Sequence, residues 1–476
     1  MKRDLSSLQH PTNCSDSGGR IVLLNTGALI TPEDLAMIQA MYSRDPRSIF
    51  DHLSKLAVSG SGKFMSSFYV GYNHASIGDC GTITLCLENV SMLVAKAVQD
   101  WMLYSGQEGS TRYLDFSKQP FYSPVENQAC RDILESWRTF YLGAMPRLEK
   151  YLTEIYPKEV GEDEKVYRKA IKARCFDILR GFLPAGSTTN LSWHGDLRQT
   201  RDKLLYLRHH PLSEVRSVAD AMETLLLATF PNSFSAKRYE ATESYIDTWM
   251  KWGYYFDPSR DPNQGSNFLT TGIDGLNTYS VRKVGFDFNL LRSQYSLELG
   301  TRPLKTELPK IIGEAGHASF NFLLDFGSFR DIQRHRAVYQ QMPLLSLDYG
   351  FHPWYLDNLS PELRSEAEVL IRDFVSASSS FSRNNDLKPV DFQYFIPMGF
   401  RVPCRVTGDL PSLVYLAELR STSMVHPTLQ EIAKKMGQSL RDILRHQAIN
   451  LALHIDEGDT GRFDVRRGTQ DIVVKS

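Results

Sequence analysis

Short stretches of this 476-residue chain recur in the same order, and that internal echo limits the fold more than any other feature. His74-Ala75-Ser76 returns as His317-Ala318-Ser319, 243 residues later. Phe182-Leu183-Pro184 returns as Phe395-Ile396-Pro397, 213 residues later. Leu207-Arg208 returns as Leu419-Arg420 after 212 residues, and Glu214-Val215 as Glu431-Ile432 after 217. One such match is chance; four in order with offsets this close imply two homologous units, 20–235 and 270–476. Between them lies an expected linker, 236–269, ending in the turn-former run Phe256 to Asn267. Residues 1–19 are polar, rich in Ser, Asn and Asp, and are expected to form a flexible tail without a signal core.

Composition adds mainly exclusions. A formal net charge of -1 gives no global pull toward nucleic acid or membrane, so an anion site must be local. The longest apolar runs, such as Leu225 to Phe230, are far short of a bilayer span. The six cysteines form no CxxC and no metal-ligand spacing with histidine, so no metal is expected. Free thiols in a chain of this length point to a soluble, cytoplasmic protein.

Each unit reads as α+β, a small sheet with long helices. Gly81 to Leu87 is β-branched and reads as a strand, followed by a helix from Ser91 to Tyr104 with Ser91 as N-cap. Phe320 to Phe326 and then Ser328 to Tyr339 repeat that order. Helices over Asp196–Leu207 and Ser213–Leu227 close the first unit, and over Leu413–Glu418 and Thr428–Leu444 the second.

Two clusters and a scattered third set, Arg180, Arg198, Arg208 and Arg420, stand out, the members of the third being weak evidence singly. Ser105 to Tyr113 (SGQEGSTRY) holds Gly106 and Gly109, which favour a turn offering Ser110 and Arg112 to a phosphate. A plain helix-end loop with Glu108 paired to Arg112 accounts for the same residues. Arg334-His335-Arg336 sits at the matching place in the second unit, among Phe329, Ile332, Val338 and Leu344. Cations set among apolar residues suit an anion or cofactor better than a solvated face.

These residues resemble the flavin-dependent thymidylate synthases, whose signature runs Arg-His-Arg, two residues, Ser, one, Asn-Glu, one, Ser, one, Arg-Tyr. The first unit keeps its second part, as Ser105, Gln107-Glu108, Ser110 and Arg112-Tyr113, but has Asp100, Trp101 and Met102 in place of Arg-His-Arg. The second unit keeps Arg334-His335-Arg336 and loses the rest. The His-Ala-Ser stretches are similar to a Gly-His-x-Ser segment of the family, and Arg180 to Pro184 to its Arg-x-x-Leu-Pro segment, whose place in the second unit holds Gln393. Asp196-Leu197-Arg198 stands where the family has Asn-Ala-Arg; Arg208 and Arg420 match its late Leu-Arg pair, and His210 and His426 lie near a flavin-contacting histidine.

The resemblance implies reductive methylation of dUMP to dTMP, with FAD as cofactor and NADPH and methylenetetrahydrofolate as co-substrates. It assigns Ser110, Arg112 and Arg420 to catalysis, and Glu108, Ser110, Arg112, Tyr113, Arg180 and Arg420 to the nucleotide. It assigns His74, Gln107, Glu108, Arg198, His210, Arg334, His335 and Arg336 to the flavin. Family sites lie between subunits, and the losses here fall on opposite sides of such an interface. Composite sites between unlike units of a homodimer, a pseudo-tetramer of repeats, are therefore expected. A related flavoenzyme acting on C5 of another pyrimidine nucleotide, or transferring hydroxymethyl, remains open. So does a non-catalytic flavin- or nucleotide-binding homologue.

Overall fold

The computed structural model describes residues 7–65, 67, 75–111, 116, 118–255 and 278–460. In chain order the first half runs β1 (Thr12–Cys14), β2 (Arg20–Leu23), α1 (Pro32–Tyr42), α2 (Ile49–Ser59), β3 (Thr82–Ser91), α3 (Met92–Gln99) and β4 (Ser105–Glu108). It continues with α4 (Gln128–Ile155), α5 (Glu164–Leu179), β5 (Thr188–Asp196), α6 (Leu197–Arg208), α7 (Ser213–Thr229) and α8 (Glu240–Gly253). The second half has β6 (Tyr279–Phe286), β7 (Gly316–Asp325), α9 (Phe326–Ile332), β8 (Tyr339–Gln341), α10 (Pro361–Asn384), β9 (Arg401–Asp409), α11 (Leu410–Ser421) and α12 (Pro427–His446). Small antiparallel sheets with packed helices make the fold α+β.

The chain divides into two compact units, and long stretches of the first half belong to the second of them. One unit comprises Met1–Gly109, Gln119–Pro124 and Gly186–Tyr254; the other comprises Ser110–Lys118, Val125–Ala185 and Tyr255–Ser476. The first holds an antiparallel sheet ordered β1-β2-β3-β5-β4 among the described residues. Alternation decides its faces: Ile21, Leu23, Ile83, Leu85, Leu87, Leu191 and Trp193 are buried, while Thr84, Cys86, Ser192 and His194 lie on the opposite side. Ser91 ends β3 and caps α3, its hydroxyl accepting from the Val94 amide at 3.1 Å. Asp196 does the same for α6 through the Gln199 amide at 2.7 Å.

The second unit repeats this plan. Its sheet is ordered β6-β7-β9-β8, the order of β2-β3-β5-β4 in the first, and every pair is antiparallel. Ala318, Phe320, Phe322 and Leu324 fill the buried face. Asp325 caps α9 through Ser328 N at 3.0 Å, and Asp409 caps α11 through Ser412 N at 2.8 Å. β7 is as long as β3, β9 as long as β5, and α11 as long as α6. The helices α4, α5 and α10 also belong to this unit; Trp137 of α4 meets Phe374 of α10 edge-on, with ring centroids 5.3 Å apart.

Strand pairing supplies an alignment that corrects the sequence echoes. His317 pairs with Asp409 as Thr82 pairs with Asp196, so the counterpart of His317 is Thr82 and not His74. Counting from the shared aspartate caps, Arg420 corresponds to Leu207, and Arg208 lies one residue further along its helix. Several bounds also differ from expectation. The helix expected to reach Tyr104 stops at Gln99, and the one expected to reach Tyr339 stops at Ile332, because the following residues must peel away to pair β4 and β8 with β5 and β9. The expected glycine turn begins instead as the edge strand β4, where a Cβ on Gly106 would lie 1.9 Å from the Ser192 carbonyl oxygen. Within the expected tail, β1 pairs with β2; within the expected linker, α8 buries Ile246 and Met250.

Candidate functional site

A polar corner forms in the second unit where α9 gives way to β8. After Ile332 the chain turns through Arg334-His335-Arg336, with His335 N donating to the Ile332 carbonyl at 2.8 Å. Gln340, on β8, closes the turn by donating its side-chain amide to the His335 carbonyl at 2.7 Å. The turn leaves Arg334 and Arg336 exposed and buries His335. Arg334 has Asp331 nearby at 3.9 Å, a loose and solvated pair. From the last turn of α11, the Nε of Arg420 donates to His335 Nε2 at 2.7 Å. Tyr415, on the same helix, meets the imidazole edge-on at 5.7 Å.

That hydrogen bond fixes the state of the histidine. A nitrogen that accepts carries no proton, so the proton of the neutral ring resides on Nδ1. Burial first, and then the Arg420 charge, push the His335 pKa down to about 3, against a smaller opposing effect of Asp331. The corner therefore offers guanidinium groups around an uncharged imidazole. Such a set favours an anionic, planar partner, because planar forks stack and hydrogen-bond at once.

Arg180 lies in the same unit but in its interior. It opens the 3-10 turn Arg180–Phe182 after α5, is 2% exposed, and donates to Ser328 Oγ at 2.8 Å. Ser328 shares that network with Thr428 (2.7 Å) and His426 (3.3 Å), and Tyr355 donates to Asp325 at 2.7 Å. A Cβ on Gly181 would lie 2.7 Å from the Tyr355 ring, which shows how tightly this interior closes. Gln393 occupies the corresponding turn and is also buried, accepting from the Leu345 amide at 3.0 Å.

The first unit builds a different corner from the same plan. Trp101 stands where the second unit has His335, and Leu207 stands where it has Arg420. Trp101 packs on Tyr206 at 5.7 Å, and the Lys203 ammonium sits 5.5 Å above the Trp101 ring. Lys203 donates to the Asp100 carbonyl at 2.7 Å, and Lys96 bonds the Tyr254 hydroxyl at 3.1 Å. Both lysines are buried; sequence reasoning passed them over, although Lys96 is a single charge among Leu93, Val94, Ala97 and Val98. Arg208, turned away by its one-residue shift, pairs with Glu243 at 2.7 Å and Glu223 at 3.4 Å.

The remaining expected residues are placed as follows. Arg198 forms a two-pronged pair with Asp79, one bond being 2.8 Å. His210 is 1% exposed, accepts from the Leu212 amide at 3.1 Å and meets Tyr254 edge-on; burial holds its pKa well below the ordinary value. Gln107 lies on β4 with its side chain exposed, and Glu108 accepts from Gln99 at 2.6 Å. Ser110 is half-buried. His74, Arg112 and Tyr113 lie outside the described residues. Among the described residues no acidic, histidine and cysteine cluster could hold a metal ion, and no helix is long and apolar enough to cross a membrane.

Comparison with known proteins finds one family model and several relatives. Residues 31–232 match the family model described as thymidylate synthase complementing protein. Over longer stretches the chain is similar to proteins named UPF0159. One from Chlamydia pneumoniae is 26% identical over 402 residues, 75% of this chain and 74% of the relative. One from Chlamydia muridarum is 25% identical over 456 residues, 86% of this chain and 84% of the relative. One from Thermoplasma acidophilum is 22% identical over 492 residues, 90% of this chain and 96% of the relative.

Proposed function

We propose, from the match of residues 31–232 to the thymidylate synthase complementing protein model, that this chain is a duplicated flavin-dependent thymidylate synthase. The observation that carries the proposal is the Arg420–His335 pair beside Arg334 and Arg336, set against Trp101 and Leu207 at the corresponding places. One unit has a cationic, hydrogen-bonded corner where the other has a lysine-and-aromatic one. Loss sorted in this way suits composite sites, in which the Arg334-His335-Arg336 turn of one protomer serves the Ser110-Arg112 segment of another. A homodimer carrying a pseudo-tetramer of repeats follows from that arrangement.

The residues of the corner fit FAD by the chemistry of their donors. Arg334 and Arg336 are exposed and cationic, and the buried imidazole between them is neutral, so an anion gains charge-assisted bonds there. When bound, the flavin supplies the hydride chemistry, drawn from NADPH. The chain's own residues hold and polarise. Arg112, with Ser110, Glu108 and Tyr113, binds dUMP. Arg420 bonds the pyrimidine and stabilises charge developing on its carbonyl oxygen as C5 becomes nucleophilic toward the carbon of methylenetetrahydrofolate. Asp196 in place of asparagine does not weaken the fold, since its carboxylate is a good N-cap for α6. Arg180, Arg198 and His210 act from within the framework, each being engaged by neighbouring protein groups.

The test is direct. Purified protein should carry flavin absorbance and oxidise NADPH in a dUMP-dependent way, yielding a product with the mass of dTMP. Arg420→Ala should lower kcat/KM by about 100-fold or more, the usual cost of removing one preorganised donor. Parallel incubations with UMP and dCMP, read by mass, separate an enzyme of another pyrimidine nucleotide. Flavin binding with no nucleotide-dependent turnover would leave only the binding homologue.

A further inference from the structure

We infer that α8 pairs with the α8 of a second copy of this chain through an aromatic stripe, Tyr245, Trp249 and Trp252. This names a surface for the homodimer proposed above and needs neither flavin nor nucleotide. The helix is an addition to the repeated plan. It lies beyond residues 31–232, which match the family model, and after α12 the described residues 447–460 form no helix in its place. Its sequence divides it into three lengthwise stripes, because positions four or seven apart share a side of a helix. Ile246 and Met250 form the first and are buried. Together with Glu243, which bonds Arg208 at 2.7 Å and His209 at 2.6 Å, they hold α8 against α6. Glu240, Asp247 and Lys251 form the second, with Lys251 and Asp247 paired at 2.6 Å. Tyr245, Trp249 and Trp252 form the third and stay 73%, 53% and 80% exposed.

Aromatic rings so open on one side of a helix are surface that gains by being covered. A ring of this kind buries about 150–250 Å² when covered, so at these exposures the three leave roughly 400 Å² open. Two such faces remove about 800 Å² from water, and the exposed Ala241 and Thr248 beside them bring a pair to the ~1,000 Å² that a stable interface requires. The stripe also suits a copy of itself. A two-fold axis sets each patch against the same patch, so a face of one charge would repel itself. Here the acids and the lysine lie on the other flank, and the rings carry no charge. In an antiparallel crossing Trp249 meets its own copy at the axis, and Trp252 of each copy meets Tyr245 of the other. Trp249 is set for that contact: its ring lies over Gly253, where a Cβ would come within 2.6 Å of it. A ring already fixed loses less freedom on pairing. Nucleic acid and anionic lipid call for cations beside the rings, whereas Asp247 neutralises Lys251 and Glu240 adds a negative charge.

Sedimentation equilibrium of the full chain reads the pairing. The wild type should sediment as a dimer or a larger even assembly, and the double variant Trp249→Lys with Trp252→Lys should have half that mass. Trp252→Gln removes the most exposed ring without adding charge, and should raise the dissociation constant by about 10-fold or more. Its thermal midpoint at matched monomer concentration should stay near the wild-type value, which separates lost pairing from lost fold. Glu240→Lys, on the charged flank, should leave mass and dissociation constant unchanged. A monomeric wild type overturns the inference, as does a double variant of unchanged mass or a Glu240→Lys variant that dissociates equally. A monomeric wild type that binds phosphatidylcholine vesicles or single-stranded DNA through these rings overturns it too, by naming another occupant. A dimer that survives in the aromatic variants would leave the proposed homodimer to another surface. Flavin content and dUMP-dependent turnover enter none of these readouts, so the enzyme reading stands or falls separately.

Discussion

Lys203 shows what burial does to a cation that keeps little of its hydration. It is 4% exposed, and its ammonium has the Asp100 carbonyl at 2.7 Å and the Trp101 ring at 5.5 Å. Burial pushes its pKa down to about 8, with Asp100 opposing and Lys96 assisting. The sign of the consequence follows. Between pH 8 and the ordinary lysine value, the unfolded chain holds a proton that the folded chain has released, so stability rises with pH through that window. Below pH 8 the whole penalty is present. The second unit has Leu416 at the corresponding place, fully buried and free of that penalty. Lys203→Met should therefore be more stable than wild type at pH 7, by about 2 kcal/mol once the lost bond to Asp100 is deducted. Its stability should also no longer climb between pH 8 and 10. Denaturant unfolding at pH 7 and 10 reads both effects; a variant weaker at pH 7 would show that the lysine is a net stabiliser.

Among the elements, the end of α12 carries a correctable strain. Ile449 N bonds the Leu444 carbonyl and Ala448 N the Arg445 carbonyl, both at 2.9 Å, the pattern that satisfies the last carbonyls of a helix. The residue at its centre must be left-handed, and Ala448 sits there at φ 56°. Glycine pays no Cβ penalty in that conformation, so Ala448→Gly should raise stability by about 1 kcal/mol. A lower thermal midpoint would mean that the Ala448 methyl contributes packing worth more than its strain. The elements also show what a sequence makes legible. α6, α7, α11 and α12 were readable because an acid, a hydroxyl or a proline starts each one and apolar residues recur along it. α3 and α9 were read too long, since nothing local reveals that residues 105–108 and 339–341 have partners on strands some 65 to 90 positions away. Arg334-His335-Arg336 stood out because charge amid apolar neighbours is a local signal. The misregister of Arg208 against Arg420 was hidden, because one residue is about 100° on a helix and a dipeptide match carries no phase.

At the scale of the whole chain, both units bury a neutral histidine, His210 in one and His335 in the other. Each is an acceptor through one ring nitrogen, and burial is the leading cause of the depressed pKa in both. Neither unit can protonate its histidine without losing a hydrogen bond as well as paying for a buried charge. The unfolded chain has no such restriction and takes up protons near pH 6.5. Stability contributed by these groups is therefore fully present above that value and drains away as pH falls toward their folded values. Net charge does not mask the effect, since a formal charge of -1 leaves little self-repulsion near neutrality. For His335 the loss amounts to about 2 kcal/mol by pH 5, some 1.5 pH units below the unfolded value. Thermal unfolding should consequently shift downward from pH 7 to pH 5, before the carboxylates begin to titrate. His335→Gln, which cannot take up a proton, should shift less over the same interval. An unchanged midpoint across pH 7 to 5 in the wild type, or an equal shift in the glutamine variant, would show that these buried rings do not govern the acid limit of the fold.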